Sequence, residues 1–241
     1  MYSFHSRVRY SECDDAGRLS VMGMMNYLQD CSTFHSDTVG LGLETMRARN
    51  QGWILAAWYI EVDRLPAYGE DITVSTHCHE MGHLKALRNF SIADETGALV
   101  VRADSQWYLY DLAAARVMRI PEEQQRAYAH PEPRLAMGPM GRKIPIEGPA
   151  TPATPVVATR QLLDTNHHVN NAQYVLIAQD ALEELGCAAP LARLSVQYRS
   201  MALLGDTLVP EVHEAPDGHT VALTDGGATT YAVVRFQDRK E

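Results

Sequence analysis

Along the first hundred residues the spacing of apolar positions changes from two to between three and four, and back to two. Tyr2 to Tyr10 alternates well enough to predict a strand. From there Val21, Met24, Met25, Leu28 and Cys31 recur at three- and four-residue steps, which predicts a helix over Val21 to Val39 with one buried face. Ser20 stands at its N-cap position, and Gly40 or Gly42 ends it. A short helix, Leu43 to Asn50, precedes Gly52. Trp53 to Asp63, Ile72 to Glu80, Leu84 to Ala93 and Ala98 to Tyr110 are then rich in β-branched and aromatic residues. They are parted by turns at Pro66 with Gly69, at Gly82 and at Asp94-Glu95-Thr96-Gly97. One helix followed by an antiparallel meander predicts an α+β unit: a curved sheet packed on one long helix.

The pattern then breaks and starts again. Eight of the twelve prolines fall between positions 121 and 155, so a short helix at Pro121 to Tyr128 is followed by an extended, Pro/Gly-rich linker assigned to 131–152. Beyond it Val156 to Leu163 matches the first strand, Asn171 to Leu185 the long helix, and Leu191 to Tyr198, Thr207 to Ala215, His219 to Asp225 and Ala228 to Asp238 the meander. Aligning Tyr27 with Tyr174 and Gly69 with Gly205 gives offsets of 147 and 136, a difference about the length of the extra short helix. The organisation expected is therefore a first domain over 1–130, the linker, and a second domain over 153–241. In this register Asp164, Asn166 and His168 face Gly17, Leu19 and Val21, so their polar constellation exists in one copy.

That constellation lies in the stretch richest in hydrogen-bonding side chains, Leu163 to Leu176. Read as an extended segment, Asp164, Asn166 and His168 share one side at period two, just before a helix capped by Asn170 or Asn171. Such a site suits attack on a carbonyl. A neutral histidine takes a proton from water, an amide orients water or polarises the carbonyl, and a carboxylate fixes the histidine. Backbone N–H groups at Val169, Asn170 and Asn171, at the helix start, would receive the developing oxyanion.

Asp164-x-Asn166-x-His168-Val169-Asn170-Asn171-x-x-Tyr174 resembles the catalytic segment of the acyl-[acyl-carrier-protein] thioesterases of plants and bacteria. Asn26-Tyr27-Leu28-Gln29-Asp30, the tract from Trp53 to Asp63 with Tyr68-Gly69-Glu70-Asp71, and Ser105-Gln106-Trp107 resemble the same family. The resemblance implies two tandem hotdog domains, each a curved antiparallel sheet wrapped around one long helix. It also implies a catalytic second domain and a first domain that houses the acyl chain, for which Met24, Met25, Leu28 and Trp53 are the pocket candidates. The implied activity is hydrolysis of acyl-carrier-protein thioesters to free fatty acid and thiol, with no cofactor and no metal. One departure stands out. The family places a glutamate four residues before the glycine of its second Gly-Asp, and here that position is Met201. Gln197 and Glu12 are the candidates to stand in for it.

Composition narrows the picture further. A net charge of -9 argues against a nucleic-acid partner and sets a condition on an acidic carrier protein, which would need a local basic patch; Arg134, Arg142, Lys143, Arg193 and Arg199 are available. No apolar stretch approaches the ~20 residues that span a bilayer, and four scattered cysteines suit a reducing compartment, so a cytoplasmic protein, monomer or homodimer, is expected. His77, His79 and His83 lack a clear third ligand beyond Glu80 and read as solvent-facing strand histidines rather than a metal set. Three other functions fit the residues: an acyl-CoA thioesterase of the same fold, an enoyl-thioester hydratase or dehydratase, and a non-catalytic acyl-binding protein.

Overall fold

The computed structural model describes residues 1–128 and 132–238. The chain divides into two compact units, Met1–Trp58 with Val62–Pro139, and Tyr59–Glu61 with Met140–Glu241. The expected boundary at 130/131 lies outside the described residues.

In the first unit β1 (Tyr2–Arg7) ends three residues earlier than expected, because Tyr10–Glu12 closes into a single 3-10 turn. Then come α1 (Val21–Thr38), α2 (Leu43–Ala48) and the strands β2 (Gln51–Val62), β3 (Asp71–Met81), β4 (Lys85–Ala93) and β5 (Leu99–Asp111), with a short β6 (Arg116–Val117) and α3 (Glu122–Ala127). The sheet order is β1–β3–β4–β5–β2, with β6 on β5. Ser20 caps α1 by accepting the Gly23 N–H at 3.0 Å. The helix lies across β1 and β3; Met24, Met25, Leu28 and Cys31 are buried, as are Ile72, Val74, Phe90 and Ile92 of the sheet. Each such side chain stabilises the fold by ~1.5–3 kcal/mol relative to exposure.

The second unit repeats this plan with less. β7 (Thr151–Pro152) and β8 (Val156–Val157) are two-residue strands paired with residues 207–212, so the long first strand expected over 156–163 is replaced by a short pairing and a 3-10 turn at Arg160–Leu162. α4 (Asn171–Glu184) packs on β10 (Thr207–Ala215), β11 (Gly218–Thr224) and β12 (Thr230–Gln237), and β9 (Arg193–Tyr198) lies beside β12. Tyr174, Val175, Ala178 and Leu182 supply the buried face of α4, and Val196, Leu208, Val221, Leu223 and Phe236 of the strands are buried too. Each unit is thus a helix lying on a curved antiparallel sheet, as the hotdog resemblance implied.

The Pro/Gly-rich segment is stitched down at both ends rather than left as a free spacer. In the first unit the Leu135 N–H donates to Asn89 Oδ1 at 2.8 Å, and Arg134 Nε donates to the buried Asp104 at 3.0 Å. In the second unit Gln197 accepts the Ile144 N–H and donates to the Arg142 carbonyl. Two of the three histidines are also not solvent-facing, whereas His83 is exposed as expected. His77 bonds the Pro133 carbonyl and His79 bonds Asp104 at 2.9 Å, both buried under the same segment.

A second polar knot braces the first unit. The Arg64 guanidinium bridges Glu70 and Asp94 at 2.6 and 2.7 Å. The Thr96 hydroxyl and Arg64 hold the Asp94 carboxyl down to about 2, and Arg64 lowers Glu70. Groups with depressed folded pKa values contribute stability that is full above the ordinary carboxylate range of ~4 and is lost as pH falls through the folded values. The difference in denaturant midpoint between the wild type and Arg64→Gln is therefore expected to be largest near neutral pH and to shrink at about pH 3. A difference unchanged between the two conditions would contradict this account of the knot.

Candidate active site

Residues 164–168 are not extended. They form a tight turn closed at its mouth by a bridge between Leu163 and Val169. The Asp164 N–H donates to the His168 carbonyl at 2.8 Å, and the His167 N–H donates to the Asp164 carbonyl at 3.1 Å. The Asp164 carboxylate folds back over the turn, accepting the Asn166 N–H at 2.8 Å and the His168 N–H at 3.4 Å. His167 adopts φ 64°, a left-handed conformation that the reversal requires and that residues other than glycine take uncommonly, histidine, asparagine and aspartate more often than the rest.

The turn is pinned from a distance. The Val169 N–H donates to the Ala202 carbonyl at 2.9 Å, and His168 bridges Leu203. Tyr174, one turn into α4, places its hydroxyl to accept the Ala202 N–H at 2.9 Å; burial pushes its pKa up to about 12, so it stays a neutral phenol. Its ring meets Tyr198 edge-on at 5.7 Å, and Tyr198 donates to the Asn171 carbonyl at 2.9 Å. Asn170 is the N-cap, accepting the Ala172 N–H at 2.9 Å.

Two expectations for the site change here. The N–H groups of Val169 and Asn170 do not stand open for an oxyanion, because they are bonded to the carbonyls of Ala202 and Leu162 at 2.9 and 2.8 Å. Asp164 also does not reach the imidazole of His168; it holds the main chain from which Asn166 and His168 project. The side chains of Asn166, exposed, and His168, half-buried, make no hydrogen bond among the described residues, so their donors and acceptors are open to a ligand.

The internal repeat sharpens these roles and corrects its own register. Asp14 accepts the N–H groups of Ala16 and Arg18 at 3.1 and 2.9 Å, Gly17 has φ 72°, and the Ser20 N–H donates to Glu12 as Asn170 does to Leu162. The equivalents of Asp164, Asn166 and His168 are thus Asp14, Ala16 and Arg18, an offset of 150. Matching Tyr27 to Tyr174 misled by three residues, because the two phenols serve different partners: Tyr27 donates to Glu12 at 2.7 Å, whereas Tyr174 accepts from Ala202. The shared Asp and Ser/Asn cap spacing, present in both halves, was the usable signal. The aspartate is common to both turns; Asn166 and His168 belong to one alone.

The candidates for the missing glutamate are otherwise engaged. Met201 is 41% exposed and borders Leu203 and Leu204, at 50% and 53%, which gives the turn an apolar rim. Both ends of the Gln197 amide clamp residues 142 and 144. Glu12 is held by the Tyr27 hydroxyl and by the side chain and N–H of Arg9. Of the pocket candidates, Met24, Met25 and Leu28 are fully buried core, while Trp53 is half-buried. Among the described residues no three His, Cys, Asp or Glu side chains converge on a metal position, and no helix is long and apolar enough to cross a membrane.

Comparison with known proteins agrees with this architecture. Residues 1–128 match the family profile described as the acyl-ACP thioesterase N-terminal domain. The chain is 29% identical over 191 residues to the chloroplastic oleoyl-acyl carrier protein thioesterase 2 of Arabidopsis thaliana, covering 72% of this chain and 52% of that relative. The chain spans about half the length of the curated relatives it matches. Among solved structures it superposes on an acyl-ACP thioesterase from Bacteroides thetaiotaomicron with a TM-score of 0.85 and 24% identity, covering 98% and 96% of the two chains. With the 12:0-ACP thioesterase from Umbellularia californica the TM-score is 0.82 at 21% identity, covering 100% and 97%. These likenesses establish the tandem hotdog fold.

Proposed function

The chain belongs to the acyl-ACP thioesterase family, and from that premise we propose that it hydrolyses acyl thioesters carried on an acyl carrier protein, releasing a free fatty acid and the carrier thiol. The observation that supports this reading best is the pair of unbonded side chains, Asn166 and His168, presented on a turn that Asp164, Ala202 and Tyr174 hold rigid. Neutral His168 takes a proton from water as the water oxygen bonds to the thioester carbonyl carbon. The Asn166 amide donates to the carbonyl oxygen as it gains charge. Collapse of the tetrahedral intermediate breaks the C–S bond, and the imidazolium returns its proton to the departing sulfur. Asp164 acts as a positioning residue through the main chain. In this reading the enzyme works in the cytoplasm, as a monomer or homodimer, and the first domain beds the acyl chain with Trp53 in its wall.

Matched acyl groups on carrier protein and on CoA test the carrier. The expected result is a higher kcat/KM for the carrier-protein series and no hydration of an enoyl thioester. Preference for CoA would replace the carrier in this reading, and hydration without thiol release would replace the reaction.

A further inference from the structure

Most buried charges in the first unit are matched, but one is not. Arg88, at the middle of β4, is only 7% exposed, and its Nη1 meets His35 Nδ1 at 2.8 Å and the Thr76 hydroxyl at 3.3 Å. Its guanidinium carbon lies 5.2 Å from the centre of the Tyr128 ring. No carboxylate among the described residues pairs with it, whereas Arg9, Arg49, Arg64, Arg102 and Arg134, all more exposed, each hold one. The neighbours whose ionisation could compensate it stay neutral. Burial pushes Cys31 up to about 12 and raises Cys78 and Tyr128 as well. A buried cation without an anion is strongly unfavourable, so a sequence that keeps one here is poised for an acceptor from outside.

A second donor points to the same place. The indole N–H of Trp53 is buried and makes no well-formed hydrogen bond: the Tyr128 hydroxyl lies beside it but is engaged with Ser36 at 2.9 Å, and the two rings pack edge-on at 6.1 Å. Around Arg88, Trp53 and Tyr128 the shell is apolar and adaptable: Leu41, Met46, Leu109 and Ile120 are buried, and Met81 and Met118 are partly so. Surplus donors at the centre of an apolar shell are what an apolar ligand with one terminal oxyanion requires.

We propose that Arg88 and Trp53 form a subsite, within the first unit, for the terminal carboxylate of a medium-chain apolar ligand, the chemistry that an ω-carboxyacyl group, the half-thioester of an α,ω-diacid, presents. The acyl part of this proposal rests on the thioesterase reading; the subsite itself is tested without it. Binding of medium-chain diacid methyl half-esters and of the plain fatty acid methyl esters of equal length is measured by calorimetry on the wild type, Arg88→Met and Trp53→Phe. The half-esters are expected to bind the wild type about tenfold tighter or more. That preference should vanish in Arg88→Met and weaken in Trp53→Phe, which keeps an aromatic ring and removes the indole donor. Equal binding of the two series by the wild type, or a preference that survives Arg88→Met, overturns the proposal. Should Arg88→Met fail to fold, an undiminished preference in Trp53→Phe overturns the two-donor subsite. No thiol release enters the readout, so a protein that hydrolyses nothing would still show the preference, and one that hydrolyses plain acyl thioesters without it would lose only this subsite.

Discussion

His168→Ala is expected to lower turnover of an acyl thioester by about 10²- to 10⁴-fold, the usual contribution of a positioned acid or base, while leaving the denaturant midpoint almost unchanged. The split follows from the geometry. The His168 imidazole makes no hydrogen bond among the described residues, so its removal leaves no partner orphaned, and the turn is held by main-chain bonds that alanine keeps. Turnover unchanged in the variant would remove His168 from the chemistry; a loss of folding matching the loss of turnover would make it structural.

Asp164 gives the second large effect and the sharper discrimination. Asp164→Ala removes the acceptor that fixes the N–H groups of Asn166 and His168, and misplacing reactive side chains by about 1 Å costs on the order of 10²-fold in rate. Asp164→Asn keeps an Oδ1 in the same place and is expected to retain turnover within about threefold, since the carboxylate's charge is not what the turn uses. Asp14→Ala, in the matching turn of the first unit, should cost similar stability, about 1 kcal/mol, with little effect on rate. Steady-state kinetics and denaturant midpoints on the three variants decide this. An Asn variant as inactive as the Ala variant would mean that the negative charge itself is needed.

The elements that local sequence governs were legible. The three- and four-residue spacing and the caps Ser20 and Asn170 located α1 and α4 to within a residue, and the strands of both meanders followed from their composition and turn residues. What was hidden depends on partners far along the chain. The turn at 164–168 reads as alternating, yet it is reversed by a left-handed His167 and pinned by Ala202 and Leu203. The N–H groups at Val169 and Asn170 look like a free helix start until those acceptors are in place. His77 and His79 look solvent-facing until the segment around Pro133 and Arg134 closes over them. The two tyrosines, the most conspicuous markers of the repeat, were a poorer guide to its register than the aspartate turns.

On the proposed reading, this turn releases thiol from acyl-carrier-protein thioesters. Free thiol followed during incubation of the purified protein with a chain-length series of acyl-carrier-protein substrates, alongside His168→Ala, tests it most directly. The account predicts steady thiol release by the wild type at one or more chain lengths and loss of that release in the variant. Tight binding of the substrates with no thiol released by either protein would contradict it and would leave an acyl-binding protein in its place.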